Sequence, residues 1–120
     1  AVEYAARRTS FGARLADHQG VQFPLADSQI ELHAARLMVW HAAWLLDQGQ
    51  PARNESSMAK VFVSETIDRV IDRAIQICGA LGISEDIPLA DFYRESRAFR
   101  IYDGPSEVHR TSVARRMFRK

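Results

Sequence analysis

A single carboxylate stands out in "RIYDGPSEVHR", residues 100–110: Asp103 follows an aromatic, precedes Gly-Pro and lies just ahead of a segment that reads as a helix. An acid there can cap a turn. Held against an acidic C–H and shielded from water it can instead take a proton, because a carboxylate in dry surroundings is a stronger base than one in water. The free N–H groups opening the next helix also suit an anion. Two other stretches carry residue types of chemical use. "RRTSFG", residues 7–12, sets a cation, a hydroxyl and an aromatic side by side, the set that grips a phosphate and covers a flat ring. "QICGALG", residues 76–82, has small residues that let a backbone approach a ligand closely. Taken singly, each is ordinary: Asp-Gly-Pro is a common turn and Gly-x-x-Gly usually ends a helix.

Other chemistries find less support. His33 and His41 are eight residues apart, two turns on a helix, and no His-x-x-x-His or Glu-x-x-His pair is present, so the histidines read as surface or satisfied core residues and no metal site is expected. Cys78 falls on an apolar face with no histidine near it in sequence, the setting of an inert buried thiol. The basic tail, with Arg110, Arg115, Arg116, Arg119 and Lys120, suits the negative end of a final helix. A net charge of +1 adds no general pull toward nucleic acid.

These stretches need a scaffold, and the punctuation describes one. A long amphipathic helix is expected from a cap at Asp17, with Val21, Leu25, Leu32, Ala35, Val39, Ala42 and Leu46 on its buried face. Gly49 and Pro51 stop it. A second long helix is expected after a cap at Asn54, burying Met58, Val61, Ile67, Ile71, Ala74, Ile75 and Cys78 before "GALG" ends it. A short helix follows Pro88, and Pro105 opens a last one through about Met117. No segment alternates long enough to be a strand. Two long helices on a tight connection pack antiparallel, so the fold class is all-α, an antiparallel four-helix-bundle-like domain spanning residues 1–120.

Length and composition agree. A chain of 120 residues, 47% hydrophobic and 26% charged, is one ordinary globular domain. One cysteine favours a reducing compartment, no apolar run approaches the roughly 20 residues of a membrane span, and the charged start lacks the apolar core of a secretory leader. "AVEYAARR" reads as the middle of a helix, the expectation for a fragment of something longer.

In this order on an all-α chain, "R-x-x-FG", "HQ", "Q-x-x-G-x-x-G", "P-L…YR" and "YDG" resemble the C-terminal domain of the acyl-CoA dehydrogenases, a family of flavoenzymes. The resemblance covers essentially the whole chain. It implies a third domain that follows a helical N-terminal domain and a β-barrel, and FAD as cofactor. By position, Arg8, Ser10 and Phe11 match residues that reach the FAD of a neighbouring subunit, Arg8 at the pyrophosphate; Gln76, Gly79 and Ala80 match further contacts to that same cofactor. Ser106 and Glu107 correspond to FAD contacts within the subunit, Tyr102 and Gly104 to the wall around the acyl chain, and Asp103 to the catalytic base.

The reaction so implied is α,β-dehydrogenation of an acyl-CoA thioester: a base removes the α-proton while hydride leaves the β-carbon for the flavin. An electron-transfer flavoprotein is the implied acceptor. A shared cofactor implies a homodimer at least, and the family usually forms tetramers; no nucleic-acid partner is implied, and the bacterial cytoplasm or mitochondrial matrix is the implied location. Three positions depart from the usual pattern. Asp103 replaces Glu, Pro105 replaces an FAD-binding Thr and so removes a hydroxyl and an N–H, and Ala80 replaces the second glycine of Gly-Gly. Asp at the base position resembles a dehydrogenase subgroup with the wording "DGP-x-EVH" and also the nitroalkane oxidases. An oxidase of the same superfamily, or a helical assembly module without activity of its own, are the alternatives.

Overall fold

The computed structural model describes residues 1–118; Arg119 and Lys120 of the basic tail lie outside the described residues. Two long helices dominate, α2 (Gln19–Asp47) and α3 (Arg53–Cys78). The stop between them is the expected one: Gly49 takes φ 70°, and the N–H groups of Gly49 and Gln50 return to Leu46 and Leu45. The connection folds α3 back antiparallel on α2. Glu31 of α2 accepts hydrogen bonds from Arg69 and Arg73 of α3, and Arg73 also reaches the Ser28 hydroxyl. α3 is the hub, because α5 (Leu89–Ala98) and α6 (Ser106–Met117) both pack on it.

The seam between α2 and α3 is made of small residues. Ser28, Ala35 and Ala42 recur every seven positions on α2 and are buried; α3 buries Ala59 and Thr66, seven apart, and, about half a turn round, Ser57 and Ser64. Small side chains let two helix axes approach closely. The serine hydroxyls bond within their own helices, Ser28 to the Pro24 carbonyl, Ser57 to Arg53 and Ser64 to Val61, so these polar atoms are buried without being orphaned.

This corrects the expected faces. Ala35, Ala42 and Cys78 are buried as anticipated, but Val39 and Leu46 are 47% and 60% exposed. α2 is apolar on more than one side: Phe23, Ile30, Leu37 and Trp44 form a second stripe at seven-residue steps, exposed along with Trp40. Helical period identifies a helix but not which stripe meets the neighbour, and the closest approach selected the smallest residues. Helix starts also move. Leu15–Asp17 is a turn of 3-10 helix, Asp17 pairs with Arg14 at 3.0 Å, and α2 begins after His18. Ala52, not Asn54, precedes α3, and Pro105 precedes α6 rather than starting it.

Strands were not expected, yet a minimal hairpin follows α1 (Val2–Arg7): β1 (Thr9–Ser10) pairs antiparallel with β2 (Ala13–Arg14), Thr9 opposite Arg14. Phe11 and Gly12 between them have φ 52° and 79°. Two left-handed residues in succession make the turn whose twist matches paired strands, so the turn sets the pairing and two-residue strands offer no alternation to read. The molecule measures 61 × 25 × 24 Å with a radius of gyration of 17.7 Å, well above the roughly 14 Å of a compact domain this size. Among the described residues no helix is long and apolar enough to cross a membrane.

Candidate functional site

The candidate residues gather at two places. At the first, the Arg8 carbonyl accepts the Leu15 N–H at 2.8 Å, and His18 Nε2 lies 3.2 Å from the Ser10 carbonyl. These contacts fix the hairpin against the start of α2. Phe11 projects at its tip, 98% exposed. Arg8 is exposed, and among the described residues no carboxylate lies within ion-pair distance of it.

Gln76 lies in the last turn of α3, and Ala80 opens α4 (Ala80–Ile83) after Gly79 at φ 60°. All three residues are exposed. The pairings of Ser28 and Glu31 with Arg73 set the antiparallel register, which brings Gln76 opposite the beginning of α2, where the hairpin docks. The first two motifs therefore share one end of the molecule. The second glycine of "GALG" has a local reason: a Cβ on Gly82 would sit 2.7 Å from the Ile75 carbonyl oxygen. The close approach at Gly82 is of α4 to α3, the chain's own backbone.

Asp103 occupies the loop between α5 and α6, at the far end. Lys60, which reaches this loop, is sixteen residues before Gln76 on α3, about 24 Å along a helix. Asp103 has φ 51° and Gly104 φ 91°, so the backbone turns left-handed at both. Asp103 is exposed and borders a groove of about 380 Å³ lined chiefly by Val39, Lys60, Val63, Ile67, Phe99 and Tyr102. The Tyr102 ring meets Phe99 edge-on at 5.7 Å. Glu107 is exposed on the first turn of α6, whereas Ser106 is only 1% exposed and its hydroxyl finds no partner among the described residues.

Two residues under this loop were not singled out in the sequence. The Lys60 ammonium donates to the carbonyls of Phe99 (2.6 Å), Tyr102 (3.1 Å) and Gly104 (2.6 Å). His109 Nε2 lies 3.2 Å from the Asp103 carbonyl, and the same ring would clash at 2.7 Å with a Cβ on Gly104. His109 lies inside the motif and reads there as a helix-start residue; Lys60, 43 positions before Asp103, carries no local signal.

Charge pairs brace both ends. Hydrogen bonds from Arg73 hold the Glu31 carboxyl below its ordinary range against the cost of burial, and Arg110 does the same for Glu65 near the Asp103 loop. Among the described residues no three His, Cys, Asp or Glu side chains come together as a metal site. For a dinucleotide the residues present are suitable: a guanidinium at Arg8 with no ion-pair partner among the described residues, a bare aromatic face at Phe11 and an exposed amide at Gln76.

Comparison with known proteins bears on what this arrangement does. Residues 1–118 match the family described as acyl-CoA dehydrogenase, C-terminal domain. The mouse mitochondrial short-chain specific acyl-CoA dehydrogenase is 42% identical over 119 residues, 99% of this chain and 29% of that protein. Subunit CarC of the caffeyl-CoA reductase-Etf complex of Acetobacterium woodii is 38% identical over 120 residues, 100% of this chain and 32% of that one. Among solved structures, butyryl-CoA dehydrogenase of Megasphaera elsdenii superposes with a TM-score of 0.96 at 35% identity, over 98% of this chain and 31% of its own. The chain thus spans about a third or less of the length of these relatives.

Proposed function

This chain belongs to the acyl-CoA dehydrogenase family as its C-terminal domain, and from that premise we propose that it serves an FAD-dependent enzyme that oxidises an acyl-CoA thioester to the 2,3-enoyl product, with Asp103 as the base. The observation that carries the reading is the Asp103 loop itself: an exposed carboxylate on a left-handed turn beside an apolar groove. A thioester lying along that groove excludes water from the carboxylate, which then takes the α-proton. FAD, when bound, would supply the redox chemistry as acceptor of the β-hydride. Tyr102 and Gly104 border the acyl chain. Glu107 and Ser106 are the contacts to the flavin of the same subunit, Ser106 from its buried position.

Arg8, Ser10, Phe11, Gln76, Gly79 and Ala80 serve the flavin of a second subunit. The separation of the two clusters supports this reading, since one chain presents them at opposite ends of α3. A homodimer is then the smallest active unit, and a homotetramer is compatible with the exposed stripe on α2. The preceding helical and β-barrel domains complete the pocket, an electron-transfer flavoprotein takes the electrons, and the bacterial cytoplasm or mitochondrial matrix houses the enzyme. CarC's name places it in a complex with Etf, which supports a flavoprotein of that kind as partner.

The test is anaerobic addition of an acyl-CoA panel to the intact flavoprotein while its visible spectrum is followed, with Asp103→Asn alongside. Flavin bleaching by one thioester, slowed about 10²–10⁴-fold in the variant, is expected for a general base. A loss under about tenfold defeats the base assignment. Asp in place of Glu at position 103 keeps one second reading in play, an oxidase, for which peroxide accumulates on turnover and nitroalkanes bleach the flavin.

A further inference from the structure

We propose that Lys60 is the positioning residue for Asp103, clamping the loop that carries the base so that its short side chain meets the substrate's α-carbon; the proposal rests on the reading of Asp103 above. An ammonium has three N–H donors, and here each has a backbone acceptor: the carbonyls of Phe99, Tyr102 and Gly104. Three carbonyl dipoles pointed at one spot repel each other, and a cation at their focus removes that repulsion. The left-handed φ angles of Asp103 and Gly104 turn the chain so that these oxygens converge. Non-glycine residues at such angles are uncommon and need support from their surroundings.

The clamp is two-sided. Lys60 on α3 holds the carbonyls on either side of Asp103, and His109 on α6 lies at hydrogen-bond distance from the carbonyl of Asp103 itself. Three successive peptide units, from Tyr102 to Gly104, are thereby tied to two different helices. With the backbone fixed, the Asp103 carboxylate has only two side-chain torsions left. Asp has one fewer torsion than Glu with which to correct an error in backbone placement, so a short base makes the clamp more consequential. Lys60 touches no reacting atom in this scheme; it acts through Asp103.

The experiment compares Lys60→Met, Lys60→Arg, Asp103→Asn and the Asp103→Asn/Lys60→Met double variant in the intact flavoprotein. Readouts are kcat, KM, flavin content, melting temperature and the isotope effect with α-deuterated substrate. Lys60→Met is expected to lower kcat about 10–100-fold, the cost of misplacing a catalytic group by about an ångström. The α-deuterium isotope effect should rise, because proton removal becomes the slow step, while flavin content and KM stay near wild type. Lys60→Arg, which restores a cation with different geometry, should recover part of the loss. Within the Asp103→Asn background the Lys60 change should cost less than about twofold, the non-additivity expected of residues acting as a unit.

Lys60→Met with kcat within about threefold of wild type, or a kcat loss matched by lost flavin and lowered melting temperature, overturns the positioning role. Should Lys60→Met fail to fold, Lys60→Gln keeps donors and much of the length and carries the same comparison. A fully impaired Asp103→Asn beside an unaffected Lys60 variant defeats only this proposal. A near-wild-type Asp103→Asn defeats the base assignment and the clamp together.

Discussion

The two ends of the α2–α3 pair hold their candidate residues by different means. The hairpin end offers reach: Phe11 stands bare on a two-residue turn, and the hairpin is tied to α2 by the Leu15 N–H and His18. The Asp103 end offers fixity, with three consecutive carbonyls bonded by side chains from α3 and α6. In the proposed roles, residues that meet another subunit's cofactor can adapt as the subunits join, whereas a base that must stand over one carbon cannot. On this view the difference in anchoring follows from the difference in task.

The sharpest way to break the comparison is to damage each end and ask what is lost. Asp103→Asn should lower turnover by about 10²–10⁴ with flavin retained, whereas Arg8→Gln should weaken flavin retention about 10–100-fold, as the loss of a charge-assisted pair predicts. Equilibrium dialysis and stopped-flow reduction separate the two; if Arg8→Gln retains flavin fully, the hairpin end is not a cofactor site. A smaller effect is expected where the hairpin end is held most tightly. Gly82→Ala drives a Cβ to 2.7 Å from the Ile75 carbonyl, so overpacking of about 1–3 kcal/mol should appear as a lower melting temperature with the Asp103 chemistry intact.

Smaller still is the electrostatic brace across the helix pair. Glu31, held by Arg73 and Arg69 and 24% exposed, should cost about 1–2 kcal/mol when replaced by Gln at neutral pH. Its folded carboxyl is held below the ordinary range, so the stabilisation is fully present above about pH 4.3, the unfolded value, and is lost as pH falls through the lower folded one. Thermal unfolding across that window should show the gap between wild type and Glu31→Gln closing with acid; a gap that persists denies the ion pair its role. Smallest in stability is Phe11→Ala, within about 0.5 kcal/mol for so exposed a residue, though flavin binding should weaken.

The two long helices, those after Pro88 and Pro105, the breaks at Gly49 and Gly79, and the three short motifs were legible along the chain, because the rules that produce them are local; the short α4 at Ala80–Ile83 was read only as a helix end. Helical hydrogen bonds span four residues, a left-handed turn needs particular residue types at one or two positions, and a proline fixes its own φ and removes an N–H, so it is tolerated near a helix start, as at Pro24 near the beginning of α2. Even so, the cap expected at Asp17 was diverted by Arg14, a neighbour three residues away, and the hairpin at Phe11–Gly12 was too short to register as strands.

Tertiary structure alone decided the rest. It added Ser28 to the expected Ala35 and Ala42 on the buried side of α2 and left the larger Val39 and Leu46 exposed, because packing rewards the stripe that allows the closest approach. It sent the first two motifs to one end and Asp103 to the other, a consequence of the register between α2 and α3. It also put Lys60 beneath residues 99–104, some forty positions away in sequence. No local pattern announces such a meeting: the lysine has helical neighbours like any other, and its three acceptors converge only once α3, α5 and α6 have packed.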